Sequence, residues 1–106
     1  MYIPAISKEI FKELKAAEEK FPEWPTDVIH AAAIVAEESG ELVKAAIDFH
    51  YGRGSKSELL REAVQTGAMA FRFLIDLEHY ASEVPSIKDI EGWKKEGDRK
   101  EGAEGS

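Results

Sequence analysis

Apolar residues recur at helical spacing along most of the chain, and the breaks between the periodic stretches fall on proline and glycine. Ile6, Ile10, Leu14 and Ala17 form the first stretch, with Ser7 as its candidate cap. Phe21-Pro22-Glu23-Trp24-Pro25 ends it, because proline brings no N–H to the helical ladder and turns its predecessor away from the α region. A second stretch, capped by Thr26 or Asp27, runs to about Tyr51, where Gly52-Arg53-Gly54-Ser55 interrupts it. Ser55-Lys56-Ser57-Glu58 has the spacing of a capping box, and a third helix is predicted from there to roughly Tyr80. Pro85 follows, and Ser86 is placed to cap a short fourth helix reaching Trp93. From Lys95 onward no apolar residue is larger than alanine, which predicts a single domain over 1–94 and a disordered charged tail over 95–106. No segment reads as a strand, and there is no internal repeat.

At 100° per residue the two long helices divide into faces. On the second, Ile29, Ala32, Ala36, Gly40, Val43 and Ile47 share an apolar face, opposed by His30, Ile34, Glu38, Glu41, Ala45 and Asp48, with Glu37 at the edge. On the third, Leu60, Val64, Gly67, Phe71, Leu74 and Ile75 oppose Glu58, Glu62, Gln65, Met69, Arg72 and Asp76. Gly40 and Gly67 each cost about 1 kcal/mol against alanine inside a helix, so close helix contact is predicted at both. The fold class that follows is all-α, an antiparallel helical bundle of three main helices plus a short C-terminal one. Three helices bury a limited core, and the second carries apolar residues on both faces, so dimerisation is predicted to complete the bundle.

Composition narrows the chemistry. The 106 residues make one small domain. With 21 acidic against 14 basic residues the net charge is −7, the opposite of the basic stripe that nucleic-acid phosphates require, so no nucleic-acid partner is expected. There is no cysteine, which removes disulfides, zinc thiolate sites and thiol catalysis. The longest apolar run, AAAIVA, falls far short of the ~20 residues of a membrane span. The N-terminus lacks the basic-then-apolar order of a secretory signal. A cytoplasmic protein without a membrane partner is expected.

The stretch AEESGELVKA, residues 36–45, crowds Glu37, Glu38 and Glu41 into two turns. Like charges at i,i+3 and i,i+4 repel by about 0.2–0.5 kcal/mol on a helix. Either water screens them on an open face, or a cation makes the cluster favourable. Ile34, Ala45, Met69 and Phe73 lie among or beside the charges, as on a face that is partly covered. Glu38 and Glu41 on one helix also answer Glu62 and Gln65 on the next, at the same i,i+3 spacing. On antiparallel helices two such pairs present four oxygen donors across a cleft, a set that favours magnesium or manganese over zinc or copper.

Glu37-Glu38-x-x-Glu41 followed by Glu62-x-x-Gln65 resembles the EExxE…ExxD signature of the MazG-like all-α NTP pyrophosphatases. That superfamily also includes dimeric dUTPases, dCTP pyrophosphatases and phosphoribosyl-ATP pyrophosphatases. The similar region covers residues 26–76 and includes the helix–loop–helix order, with Gln65 standing where the family has aspartate. The resemblance implies a hydrolase that uses magnesium, with manganese as the alternative ion, to cleave the α–β phosphoanhydride of a nucleoside triphosphate. The products are a nucleoside monophosphate and pyrophosphate. By position it implies Glu38, Glu41, Glu62 and Gln65 as metal ligands, and Glu37 and Glu38 as catalytic carboxylates. Glu37 would hold a second ion or orient the attacking water. The resemblance also implies assembly into a homodimer or homotetramer.

For the nucleotide, the candidate contacts are His30, Lys44 and Arg72. Lys44, Arg53, Lys56 and Arg72 are the basic residues nearest the motif in sequence or on the inferred face. Arg72 shares the stripe of Gln65 and either reaches phosphate or pairs with Asp76 at i,i+4. His30, two turns before Glu38, either meets a base or phosphate or is structural. Trp24 and Tyr51 flank the second helix as stacking candidates, with Trp24 alternatively a core or dimer contact. A rival reading is a helical interaction module that keeps the fold and has lost catalysis through Gln65. An acidic coiled coil is disfavoured because no heptad is sustained.

Overall fold

Three α-helices and one 3-10 turn make up residues 2–80, the span described by the computed structural model: α1 Ile3–Lys20, α2 Val28–His50, α3 Lys56–Ile75 and the turn Leu77–His79. No strand occurs among the described residues. The segments predicted as a short helix over 86–93 and a disordered tail over 95–106 lie outside the described residues.

Each boundary has a local cause. α1 begins ahead of Ser7, which lies within the helix and does not cap it. Pro4 occupies the first turn, where a missing N–H costs nothing and the fixed φ suits the helix. Asp27 caps α2, its Oδ1 accepting from the Ile29 N–H at 2.9 Å. α2 closes in a Schellman motif: Gly52, at φ 73°, sends its N–H to the Phe49 carbonyl at 3.1 Å, and the Arg53 N–H reaches the Asp48 carbonyl at 2.7 Å. Ser55 caps α3 by accepting from the Glu58 N–H at 3.2 Å, one half of the predicted capping box. α3 stops at Ile75, short of the predicted Tyr80. The chain tightens into the 3-10 turn there because Tyr80 folds back into the interior. It is 4 % exposed, its hydroxyl donating to the Phe73 carbonyl at 3.3 Å and accepting from Trp24 Nε1 at 2.9 Å.

α3 is the central element. It runs back alongside α2 and also carries α1, while α1 and α2 do not pack on each other. This arrangement reverses the predicted faces of α2. The residues turned inward are Ala31, Ile34, Val35, Glu38, Leu42 and Ala45; the stripe Ile29, Ala32, Ala36, Gly40, Val43 and Ile47 is exposed, Ile29 to 77 %. On α3 the buried residues are Arg72, from the stripe predicted to be polar, and Ala68, which lies between the two predicted stripes. The apolar side is shared with α1, where Phe11 meets Phe71 edge-on with ring centroids 5.2 Å apart. Gly67 meets the expectation of close contact, since a Cβ there would stand 3.3 Å from the Ile10 side chain, whereas a Cβ on Gly40 would meet nothing within 4 Å. The resulting core is thin: Leu14, Ala31, Ala68, Tyr80 and the buried Arg72.

Candidate functional site

Because α1 and α2 flank α3 without touching, a cleft of about 780 Å³ opens between them. Its walls bring together Glu13 from α1, Trp24 from the linker, His30, Ile34, Glu37 and Glu38 from α2, and Gln65, Met69 and Arg72 from α3. Residues from both halves of the acidic motif therefore face one cavity.

The register is held by Thr66. Its single hydroxyl proton is shared between the Glu62 carbonyl at 2.8 Å and the Glu38 carbonyl at 3.1 Å. This bond ties the middle of α2 to the middle of α3 at the level of the two motif glutamates. Thr66→Val keeps the shape and removes the donor, so it is expected to cost about 1 kcal/mol in chemical denaturation. An unchanged midpoint would show that side-chain packing alone sets the register.

Glu38, like Glu62, is a half-buried carboxylate. Burial pushes its pKa up from the ordinary value, and the charges of Glu62, Glu41, Glu37 and Glu13 push it further in the same direction. Glu62 is also largely covered, and the Arg61 guanidinium near it lies at the 4.0 Å limit of an ion pair with its own side chain mostly in water. An exposed pair of this kind contributes little. The site thus holds negative charge that its own neighbours do not neutralise.

The expected ligands are only partly assembled. Glu38 and Gln65 line the cleft; Glu41 is exposed and Glu62 half-buried, both outside its wall yet near enough to act on Glu38. Among the described residues no three His, Asp or Glu side chains stand together in a group able to hold a metal ion. An all-oxygen donor set suits magnesium in kind, but Glu41 and Glu62 lie off the wall that Glu38 and Gln65 share. Of the expected substrate contacts, His30 lines the cleft and is exposed, whereas Lys44 is exposed and lies off its wall.

Arg72 does not pair with Asp76, whose carboxylate lies 3.4 Å from His79 Nδ1. Its guanidinium donates to the Ala17 carbonyl at 3.4 Å and to the Phe21 carbonyl, and it stacks over Trp24 at 4.9 Å from the ring centroid. The Ala17 carbonyl also accepts the Phe21 N–H at 2.8 Å, and the C-terminal end of α1 carries partial negative charge, so a cation is stabilising there. Arg72 is therefore a structural tie between α3, α1 and the linker as well as part of the cleft floor. Tyr51, at the far end of α2, is exposed beside His50 and Arg53 and takes no part in the cleft. Sequence reasoning missed Glu13, Thr66 and Tyr80, since their roles depend on which helices meet.

The chain matches no protein-family description, no curated protein and no solved structure.

Proposed function

We propose that the chain is a magnesium-dependent nucleoside triphosphate pyrophosphohydrolase that cleaves the α–β phosphoanhydride to a nucleoside monophosphate and pyrophosphate. The observation that carries this reading is the common cleft, in which Glu37 and Glu38 face Gln65 beside Trp24, His30 and Arg72. Glu38, Glu41, Glu62 and Gln65 would hold the ion, with manganese as a substitute. Bound there, it would offset the carboxylate charge, polarise phosphoryl oxygens and lower the pKa of a bound water. Glu37, at the cleft wall, would orient the attacking water. His30, at the cleft wall, would contact the nucleotide, and Trp24 on the linker side would offer it a ring.

The deciding experiment measures pyrophosphate and monophosphate released from a panel of nucleoside triphosphates with and without magnesium. Metal-dependent release of both products in equal amounts is expected. No release from any member would favour the second reading, a helical interaction module of the same fold. That reading is supported by the absence of an assembled metal group among the described residues and by the neutral Gln65.

Gln65 provides a separate measurement. Gln65→Asp restores a negative ligand beside the ion and is expected to tighten magnesium binding by about tenfold, or ~1.4 kcal/mol, in isothermal titration. Aspartate is one methylene shorter, which limits the gain. Equal affinity in both proteins would place Gln65 outside the coordination sphere.

A second copy of the chain is the proposed cover for the outer stripe of α2, giving a homodimer as the basic assembly and a homotetramer as a pair of dimers. The support is Gly40, which costs helix stability and meets nothing in its own chain, between exposed Val43 and Ile47 and the small Ala36. Sedimentation equilibrium at micromolar concentration should show the dimer, and Gly40→Leu should yield monomer with helix content retained. A monomeric wild type would refute the assembly.

A further inference from the structure

The cleft changes character along its length. Glu38 and Gln65 line it at one level, tied by the Thr66 hydrogen bond, and Trp24 and Arg72 line it at another. Gln65 and Arg72 stand two turns apart on α3, so about 10 Å separates the levels. Ile34 and Met69 line the stretch between.

The fixed polar groups at the Trp24 level are already engaged. Trp24 Nε1 donates to the Tyr80 hydroxyl at 2.9 Å, and that hydroxyl donates to the Phe73 carbonyl at 3.3 Å. Arg72 lies over the ring, 4.9 Å from its centroid, with its guanidinium turned to the Ala17 and Phe21 carbonyls. Trp24 is thus held at its edge and across one face while still lining the cleft. The other polar side chains there, Lys20, Glu23 and His30, are exposed.

We infer that this level is a nucleobase subsite that selects by ring surface and favours purines over pyrimidines, with Tyr80 as the positioning residue that orients Trp24. The inference rests on the reading of the cleft as a nucleotide site. A pocket without fixed donors or acceptors discriminates weakly among groups on a ring edge. Stacking on an aromatic ring is open to every base and grows with overlap. The indole is bicyclic, so a purine covers more of it than a pyrimidine does, and a cleft of about 780 Å³ admits the larger ring. The spacing of the two levels leaves room for a ribose and the first phosphate between the base and the carboxylates. Tyr80 acts through Trp24: its hydroxyl is buried, and removing it strands the indole N–H and frees the ring to turn.

Adenosine, inosine and cytidine, each without metal, are titrated into the full chain in solution NMR, at a temperature where every variant keeps its helix content. Affinity is read from broadening of the nucleoside signals, and location from the Trp24 indole N–H, which Trp93→Phe assigns because the chain has two tryptophans. Adenosine is expected to shift that resonance and to bind at least about threefold more tightly than cytidine. Inosine, which differs only at the ring edge, should bind within about twofold of adenosine. Tyr80→Phe should weaken adenosine binding by about fivefold. In a Trp24→Phe chain, where no indole is left to orient, the same substitution should change it by less than about twofold. Cytidine binding as tightly as adenosine, a Trp24 resonance that adenosine leaves in place, or an effect of Tyr80→Phe that is absent or equal in both chains would each overturn the inference. The hydrolase reading fails separately. Pyrophosphate release without purine preference would leave that reading standing and remove the subsite, whereas adenosine binding at Trp24 in a chain that releases no pyrophosphate would do the reverse.

Discussion

Glu38→Gln is expected to lower pyrophosphate release by at least about 100-fold while making the protein more heat-stable at neutral pH. The loss follows from the proposed role: substitution of groups that only support metal ligands costs 10–100-fold, and removing a ligand charge should exceed that. The gain in stability follows from electrostatics. Burial and then Glu62, Glu41, Glu37 and Glu13 raise the Glu38 pKa in the folded chain above its ordinary value. The folded state therefore binds this proton more tightly than the unfolded state does. Stability falls as pH rises from the ordinary carboxylate value through the raised folded one, where the penalty becomes complete; it is relieved as pH drops back toward the ordinary range. Glutamine removes the penalty without changing size. Melting temperatures of wild type and variant should differ at pH 7, variant higher, and converge at about pH 4. Millimolar magnesium should raise the melting temperature of the wild type and leave the variant nearly unchanged, because an ion binds only the folded arrangement. A variant that melts lower at pH 7 would show that Glu38 is held by favourable contacts, and full activity would remove it from the reaction.

Arg72→Ala should be the most damaging single substitution to stability. Arg72 is 6 % exposed and directs its guanidinium to the Ala17 and Phe21 carbonyls with Trp24 stacked beneath it. Hydrogen bonds to charged groups contribute roughly 1.5–3 kcal/mol each, and truncation also leaves unfilled space under Trp24. A loss of about 3 kcal/mol is expected, which in a domain of this size lowers the melting temperature by roughly 10–20 °C. Arg72→Lys should recover little, since a single ammonium cannot reproduce a fork that serves two carbonyls and a ring face. Thermal unfolding of the three proteins checks this. A loss below about 1 kcal/mol for alanine would mean that α1 is held to α3 by Ile10 and Phe11 alone.

Helix existence and the capping chemistry were legible because they depend on neighbours in sequence. Asp27 and Ser55 each cap through a backbone N–H two or three residues away, and Gly52 ends α2 through its own φ. The start of α1 was misjudged because a serine signal was preferred to Pro4, which needs no cap hydrogen bond. The end of α3 was misjudged for a different reason. No glycine or proline marks it, and the chain turns there because Tyr80 finds Trp24, 56 positions away in sequence. The candidate site divides in the same way. The paired motif pointed to Glu38, Glu41, Glu62 and Gln65 across one cleft, of which Glu38 and Gln65 line it, whereas Glu13 arrives from a helix whose approach nothing in its own sequence announces.

By itself the sequence determined an all-helical chain, its caps and breaks, and an acidic cluster that needs either water or a cation. Those properties rest on short-range hydrogen bonds and on charge, which are set by residue type and spacing. Which face of each helix points inward was decided only by tertiary structure. Hydrophobic periodicity identifies an apolar stripe but not what covers it, and α3, packed by α1 and α2 on separate sides, buries Ala68 and Arg72 while the apolar stripe of α2 stays exposed. The same geometry turned Arg72 from a candidate phosphate contact into the tie that holds α1. A guanidinium buried beside the Ala17 and Phe21 carbonyls donates to them, because leaving its charge unpaired away from water is costly.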